Sequence, residues 1–409
     1  MSPDPAAATA AAPAVLPVMR PWLGEEEAAA AAAAVRSGWV AQGPRVAEFE
    51  RALSARLGAA DTVVVSSCTA ALHLAMVVAG LGPGDDVVVP SLSFIATANA
   101  VRYVGARPVF ADVDPATQNV TAATIEAALT PDTRAVIAVD QGGMPLDVDP
   151  IRALCLRRGL ELVQDSACAI GSTYRGRAVG GDAALAAYSF HPRKLLTTGE
   201  GGALVTNRPE WAARARRLRE HGMSVSAADR HASSRIVIED YVETGFNYRM
   251  TDVQAAIGLV QLRRLDDLIA RRRTLAAVYQ QALAAVPGLR VCADPPYGTS
   301  NYQSFWVELT DSFPGTRNEL LEHLLRDGIS ARRGIMAAHR EPAYDGGGDR
   351  RDSASPRAGL PVTDRLTDRT VILPLFHEMT ESDVERVAGS VRAAAESTPA
   401  RPGPDQSHR

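Results

Sequence analysis

Between about residues 60 and 207 the chain alternates short apolar runs with stretches whose apolar positions recur every three or four residues. The runs are Thr62-Val-Val-Val65, Asp86-Val-Val-Val89, Pro108-Val-Phe-Ala111, Ala135-Val-Ile-Ala-Val139, Leu162-Val163, Ala186-Ala-Tyr-Ser189 and Gly202-Ala-Leu-Val-Thr206. They show little apolar/polar alternation, so each strand is covered on both faces, which predicts a mostly parallel, seven-stranded sheet. Residues 69–79, 94–103 and 150–158 lie between them with helical spacing, several closed by glycine. The pattern is that of an α/β layer architecture, in which ligands gather at the carboxyl ends of the strands.

Further along, residues 209–221 spell an amphipathic helix that stops at Gly222. Residues 224–244 are polar, weakly periodic and long for a plain connection, so they are the candidate for part of a substrate pocket. A long helical pattern over residues 251–286, expected to break or bend, leads out of the large domain. A strand at Ser304-Phe-Trp-Val-Glu308 and helices at 318–327 and 381–395 predict a smaller C-terminal α/β domain. The resulting division is a disordered tail over 1–19, a large domain with its N-terminal segment over 20–260, a connecting helix and small domain over 261–396, and a disordered tail over 397–409.

Composition changes this picture little. The 409 residues, 46% hydrophobic and 22% charged, are those of a soluble protein with ample core. A net charge of -4 gives no electrostatic reason to expect a nucleic-acid partner. The basic runs at 214–217 and 271–273 sit in leucine-rich helical contexts and read as solvated helix faces. Cys68, Cys155, Cys168 and Cys292 form neither a CxxC pair nor a zinc spacing, so no metal is expected and a reducing, cytoplasmic setting fits. The N-terminus lacks the basic region of a signal peptide, and the apolar run at 28–35 is too short for a bilayer.

Chemistry enters with Ser189-Phe-His-Pro-Arg-Lys194-Leu-Leu-Thr-Thr-Gly-Glu-Gly-Gly202. A lysine between an apolar strand and a glycine-rich loop is expected in a cleft, where desolvation frees its amine to form a Schiff base with an aldehyde. An acid on another strand, Asp165 in Leu162-Val-Gln-Asp-Ser-Ala167, can protonate a pyridine ring at the far end of the same ligand. Pyridoxal 5'-phosphate requires that division of labour. Three places suit its phosphate: the strand-to-helix turn Val65-Ser-Ser-Cys-Thr-Ala-Ala71, Ser189 at a strand end, and Asn247 before the long helix. A Ser-Cys-Thr helix start is also an ordinary N-cap. Phe94, just past a strand, can stack on a flat ring or belong to the core.

These segments, with Ser37-Gly-Trp-Val40, Gln42-Gly-Pro44, Ser67-Cys-Thr-Ala-Ala-Leu-His73, Pro90-Ser-Leu-Ser-Phe94, Gln164-Asp-Ser-Ala-Cys-Ala169, Gly245-Phe-Asn-Tyr-Arg-Met-Thr-Asp-Val-Gln-Ala-Ala256 and Leu373-Pro-Leu375, resemble the DegT/DnrJ/EryC1/StrS family from about Arg20 to Val391. The resemblance implies a fold-type I, pyridoxal-phosphate-dependent aminotransferase that aminates a keto sugar, most often nucleotide-linked, from glutamate or glutamine. It makes Lys194 the Schiff-base lysine, Asp165 the partner of the pyridine nitrogen and Phe94 the stacking aromatic. The backbone at Cys68, Thr69 and Ala70, together with Ser189, becomes the phosphate cradle. Asn247 reaches that phosphate from the neighbouring subunit, which implies a homodimer with two shared sites.

Two positions depart from the family pattern. Cys168 stands where many relatives place Gln or His near the cofactor's phenolic oxygen, and a thiol is a weaker hydrogen-bond partner there. Asp140, in Val139-Asp-Gln-Gly-Gly143, replaces a usual His and reads either as a substrate-reading residue or as a turn former. His191 and His221 read as packing or hydrogen-bonding residues, and His339 as a residue of the substrate mouth. Alternative readings are a cyclitol (inosose-type) aminotransferase, a sugar dehydratase of the same family, which Lys194 argues against, and a non-catalytic homologue.

Overall fold

The computed structural model describes residues 15–225, 230, 234–344 and 359–397, so of the tails expected over 1–19 and 397–409, residues 1–14 and 398–409 lie outside the described residues. All seven apolar runs form strands of one sheet: β1 (Asp61–Val65), β2 (Asp86–Pro90), β3 (Arg107–Ala111), β4 (Thr133–Val139), β5 (Glu161–Asp165), β8 (Leu185–Ser189) and β9 (Gly202–Thr206). The short pair β6 (Thr173–Tyr174) and β7 (Arg177–Ala178) forms a separate three-stranded sheet with β11 (Gly298–Thr299). The strand order is β1-β9-β8-β5-β4-β2-β3, and only β9 runs antiparallel to its neighbours. Strands β2, β8 and β9 are buried at every position, as expected for a sheet covered on both faces.

The helices follow their periodicities: α1 (Glu25–Arg36), α2 (Pro44–Leu57), α3 (Cys68–Val78), α4 (Ala96–Tyr103), α5 (Ala122–Ala128), α6 (Val148–Arg158) and α7 (Pro209–Arg219). Helix α3 is almost wholly apolar and packs Leu72, Leu74 and Met76 into the core, so it is buried nearly all round. The long pattern over 251–286 does break, into α8 (Asp252–Arg263) and α9 (Leu265–Leu283), at Arg264, whose backbone leaves the helical region. Tyr279 of α9 stacks on Phe305 at 4.7 Å and enters a second apolar core with Val387 and Val391. Above that core lies an antiparallel sheet of β10 (Leu289–Val291), β12 (Phe305–Leu309), β14 (Thr370–Leu373) and β13 (Arg332–Arg333).

Three expectations need correction. The tail expected through residue 19 ends sooner, because Leu16 pairs with Ile329 and its backbone bonds Gly328 and Ser330. The runs at 214–217 and 271–273 are not simply solvated faces. Arg216 pairs with Asp61, and Arg272 is buried, donating to the carbonyls of Tyr302, Leu375 and Gln303. A guanidinium on a helix buried by neighbours on several sides must spend its donors inward, and spacing along one helix cannot show this.

Candidate active site

The carboxyl ends of β1, β2, β4, β5 and β8 converge on one cavity of about 280 Å³, with Val139 and Gln141 contributed by β4 and the turn after it. Ser67, Cys68 and Thr69 arrive from the β1–α3 turn, Ser93 and Phe94 after β2, Asp165 and Cys168 after β5, and Ser189 and Lys194 after β8. The topology brings together residues more than 100 positions apart because parallel strands all end on the same side.

Helix α3 starts in the wall of this cavity. Ser67 caps it by accepting the N–H of Ala70 at 3.1 Å, which leaves the N–H groups of Cys68 and Thr69 for an anion. Ala70, expected in the cradle, is therefore engaged with the cap and does not line the cavity. A Cβ added at Gly202 would stand 2.4 Å from the Cys68 nitrogen, so only glycine lets β9 approach the helix start this closely. Phe94 is 67% exposed on the cavity wall, an apolar ring presenting its surface rather than a core residue.

Asp165 lies at the cavity floor, its Oδ2 accepting from Thr97 Oγ1 at 2.8 Å and its Oδ1 from the Ala167 N–H at 3.2 Å. Ser93 meets Thr97 Oγ1 at 2.9 Å, extending the chain of hydroxyls. Burial pushes the Asp165 carboxyl up, against the two hydrogen bonds and the charge of Lys194. Thr97 gives no sequence signal of this role: it lies 68 residues from Asp165 and meets it only through the fold.

The Nζ of Lys194 donates to Cys168 Sγ at 2.9 Å. Burial acts against the ammonium, but Cys168, by charge and hydrogen bond, with Cys68 and Asp165, outweighs it and holds the lysine above its ordinary value. Desolvation does act to free this amine, as the sequence predicts, but in the chain by itself the acidic groups that share the cavity oppose it. Burial pushes the Cys68 thiol well up, and Asp165 adds to it. Gln303 grips the backbone on both sides of the lysine, accepting from Leu195 N at 3.0 Å and donating to Arg193 O at 2.5 Å. Asn301 fixes the Cys168 turn through bonds of 2.8 Å to the carbonyls of Cys168 and Ile170. Neither residue belongs to a motif read from the sequence.

Other candidates fall elsewhere. Asn247 is exposed, pairs with the backbone of Glu220, and does not line this cavity. The described residues of the 224–244 loop do not line it either. Asp140 is buried behind Asp165, accepting from Leu146 N and Ser166 Oγ, so it ties the turns after β4 and β5 rather than facing a ligand. His191 does line the cavity, its Nδ1 accepting from Arg193 N at 3.1 Å. His339 does not: Ser91 at 2.6 Å and Asp364 at 3.3 Å hold it away from the expected mouth.

The residues present fit pyridoxal phosphate: an amine, a buried acid, an exposed aromatic face and a helix start with free N–H groups share one space. Among the described residues no group of His, Cys, Asp or Glu is arranged to hold a metal.

The model of the DegT/DnrJ/EryC1/StrS aminotransferase family matches residues 21–392. Among solved structures, the chain is similar to the aminotransferase TlmJ from Streptoalloteichus hindustanus, with 40% identity over 93% of this chain and 98% of that one and a TM-score of 0.83. DesI, solved in the presence of its TDP-sugar product, shows 32% identity over 93% of each chain and a TM-score of 0.83. Spr1654 from Streptococcus pneumoniae, solved in PLP and PMP forms, shows 27% identity for the PLP form over 94% of this chain and 100% of that one, with a TM-score of 0.85.

Proposed function

This chain belongs to the DegT/DnrJ/EryC1/StrS aminotransferase family, whose cofactor is pyridoxal 5'-phosphate, and we propose that it moves an amino group from glutamate or glutamine to a nucleotide-linked keto sugar. The observation that carries the reading is the shared cavity of Lys194, Asp165, Phe94, Ser189 and the start of α3. Likeness to DesI and its TDP-sugar product supports the nucleotide-linked acceptor. Free cysteines and the lack of any described helix long and apolar enough to cross a membrane support a cytoplasmic setting.

When bound, the cofactor supplies an aldehyde that carries nitrogen between donor and acceptor and a ring that takes up negative charge. Lys194 Nζ would hold the cofactor and, once released, carry the proton to and from the donor's α-carbon, a transfer contributing about 10²–10⁴-fold. Asp165 would face the ring nitrogen and keep it protonated, with Thr97 fixing the carboxylate's orientation. Phe94 would cover the ring, and the Cys68 and Thr69 N–H groups with the Ser189 hydroxyl would hold the phosphate. Cys168, already within hydrogen-bond reach of Lys194, would line the ring beside it. Asn247, exposed in the single chain, would complete a partner's phosphate site in a homodimer.

The test combines Lys194→Ala, Asp165→Asn and a substrate screen. Lys194→Ala should lose both the borohydride-stable lysine adduct and turnover, whereas Asp165→Asn should retain cofactor and transaminate poorly. Full transamination by Lys194→Ala ends the assignment. Nucleotide keto sugars should discharge the pyridoxamine form. Discharge by inososes alone would move the chain to the cyclitol branch.

A further inference from the structure

A second cavity, of about 340 Å³, adjoins Lys194. Arg193, Lys194 and Cys168 line both spaces, so the two meet at this lysine. Its walls hold Arg193, Arg272 and Arg332, and no carboxylate stands among the described residues that line it. Arg272 is buried and spends its donors on three backbone carbonyls, and it pairs with no carboxylate among the described residues. Arg193 and Arg332 make no ion pair among the described residues, unlike Arg333, which reaches Glu341. Burial and the nearby charge of Arg193 both act against the Arg332 guanidinium, and burial brings that of Arg272 down to about 9. Like charges facing one another in a cleft, with nothing to offset them, make an anion site.

We propose that this cavity seats the α-carboxylate of the amino donor between Arg193 and Arg332, over the buried charge of Arg272. The assignment rests on the aminotransferase reading above and extends it to the donor's binding site. In an amino acid the carboxylate is bonded directly to the carbon whose proton Lys194 moves, so its seat must adjoin that amine. The diphosphate of a nucleotide sugar hangs from a carbon other than the one that reacts, so nothing requires its seat to adjoin the amine. A planar guanidinium on either side suits a carboxylate through paired, charge-assisted hydrogen bonds. The neutral keto carbon of an acceptor gains nothing from the cluster.

Arg332→Gln and Arg193→Gln, singly and together, test the seat in the cofactor-loaded protein, with Arg332→Lys as the conservative control. Arg332 is exposed and does not line the cofactor cavity, so in Arg332→Gln cofactor content and thermal stability should match the unaltered protein, and the Arg193→Gln variants are compared at equal cofactor loading. The cofactor spectrum, followed as glutamate is added, should give a Kd raised about 10–100-fold for each substitution. Calorimetric titration with 2-oxoglutarate should weaken in parallel, and Arg332→Lys should recover part of the loss. The second half-reaction, the pyridoxamine form with a thymidine-diphospho-keto-hexose, should saturate at an unchanged concentration. Unaltered glutamate binding in the double variant overturns the seat. Weaker acceptor saturation with intact glutamate binding also overturns it, giving the cavity to the acceptor's phosphates. If the unaltered protein binds cofactor yet responds to no amino acid, the donor reading itself fails, and the seat with it.

Discussion

At the scale of single residues, Asp140 shows how a departure from the family pattern can be structural rather than substrate-reading. Burial is the main force pushing its carboxyl up to about 7, and the charge of Asp165 adds to it, while bonds from Leu146 N and Ser166 Oγ pull the other way. A folded-state value above the ordinary carboxylate one means that the folded chain holds this proton longer than the unfolded chain. Stability is therefore lost as pH rises from about 4 to about 7, by up to about 4 kcal/mol for this group, and levels off above. Asp140→Asn should flatten that part of the profile, checked by urea unfolding at about pH 5 and about pH 8. An equal pH dependence in the variant would show that the group titrates freely. Lys194, Asp165, Phe94 and the Cys68-Thr69 turn, which the fold brings to one cavity, were legible in the sequence through strand-end position together with the motifs that resemble the family. Thr97, Gln303 and Asn301 were not, because their partners lie far away along the chain and carry no local pattern.

At the scale of elements, the helix starts around the site are held by long-range as well as local contacts. Ser67 caps α3 and Thr251 caps α8 with a reciprocal bond to Gln254, both of the kind a sequence announces. Helix α2 is different. It begins Gly43-Pro44 with no side-chain cap of its own, and the buried Asp252 accepts the N–H groups of Arg45 and Val46 at 3.0 and 2.9 Å. The carboxylate at the start of α8 thus serves the first turn of a helix some 200 residues earlier. Asp252→Ala should lower unfolding stability by about 1–3 kcal/mol, since it leaves two donors unsatisfied beside the core. Denaturant midpoints measure this, and Asp252→Asn should recover part of it. The periodic segments were read to within a few residues, including the broken helix. The short strands β6, β7, β10 and β13 were not, since two or three residues carry no period.

At the scale of the whole molecule, the exposed Asn247 makes a prediction about assembly. If it completes a partner's site, then Lys194→Ala and Asn247→Ala chains, each weak alone at limiting cofactor, should complement when mixed. One site of each mixed dimer then has both groups, so recovery should reach roughly a quarter of the unaltered activity. Activity that stays at the sum of the two separate preparations after subunit exchange would place Asn247 outside its neighbour's site. The sequence by itself determined the sheet and most helices, and offered Lys194 and Asp165 as candidates, because covered strands, helical spacing and strand-end residues are local signals. The tertiary structure alone decided which charges surround Lys194, the burial of Arg272 and Asp140, and the cavity beside the lysine that no carboxylate among the described residues lines. Those depend on which charges meet in a space of low dielectric, and the fold sets that distance, not the spacing along the chain.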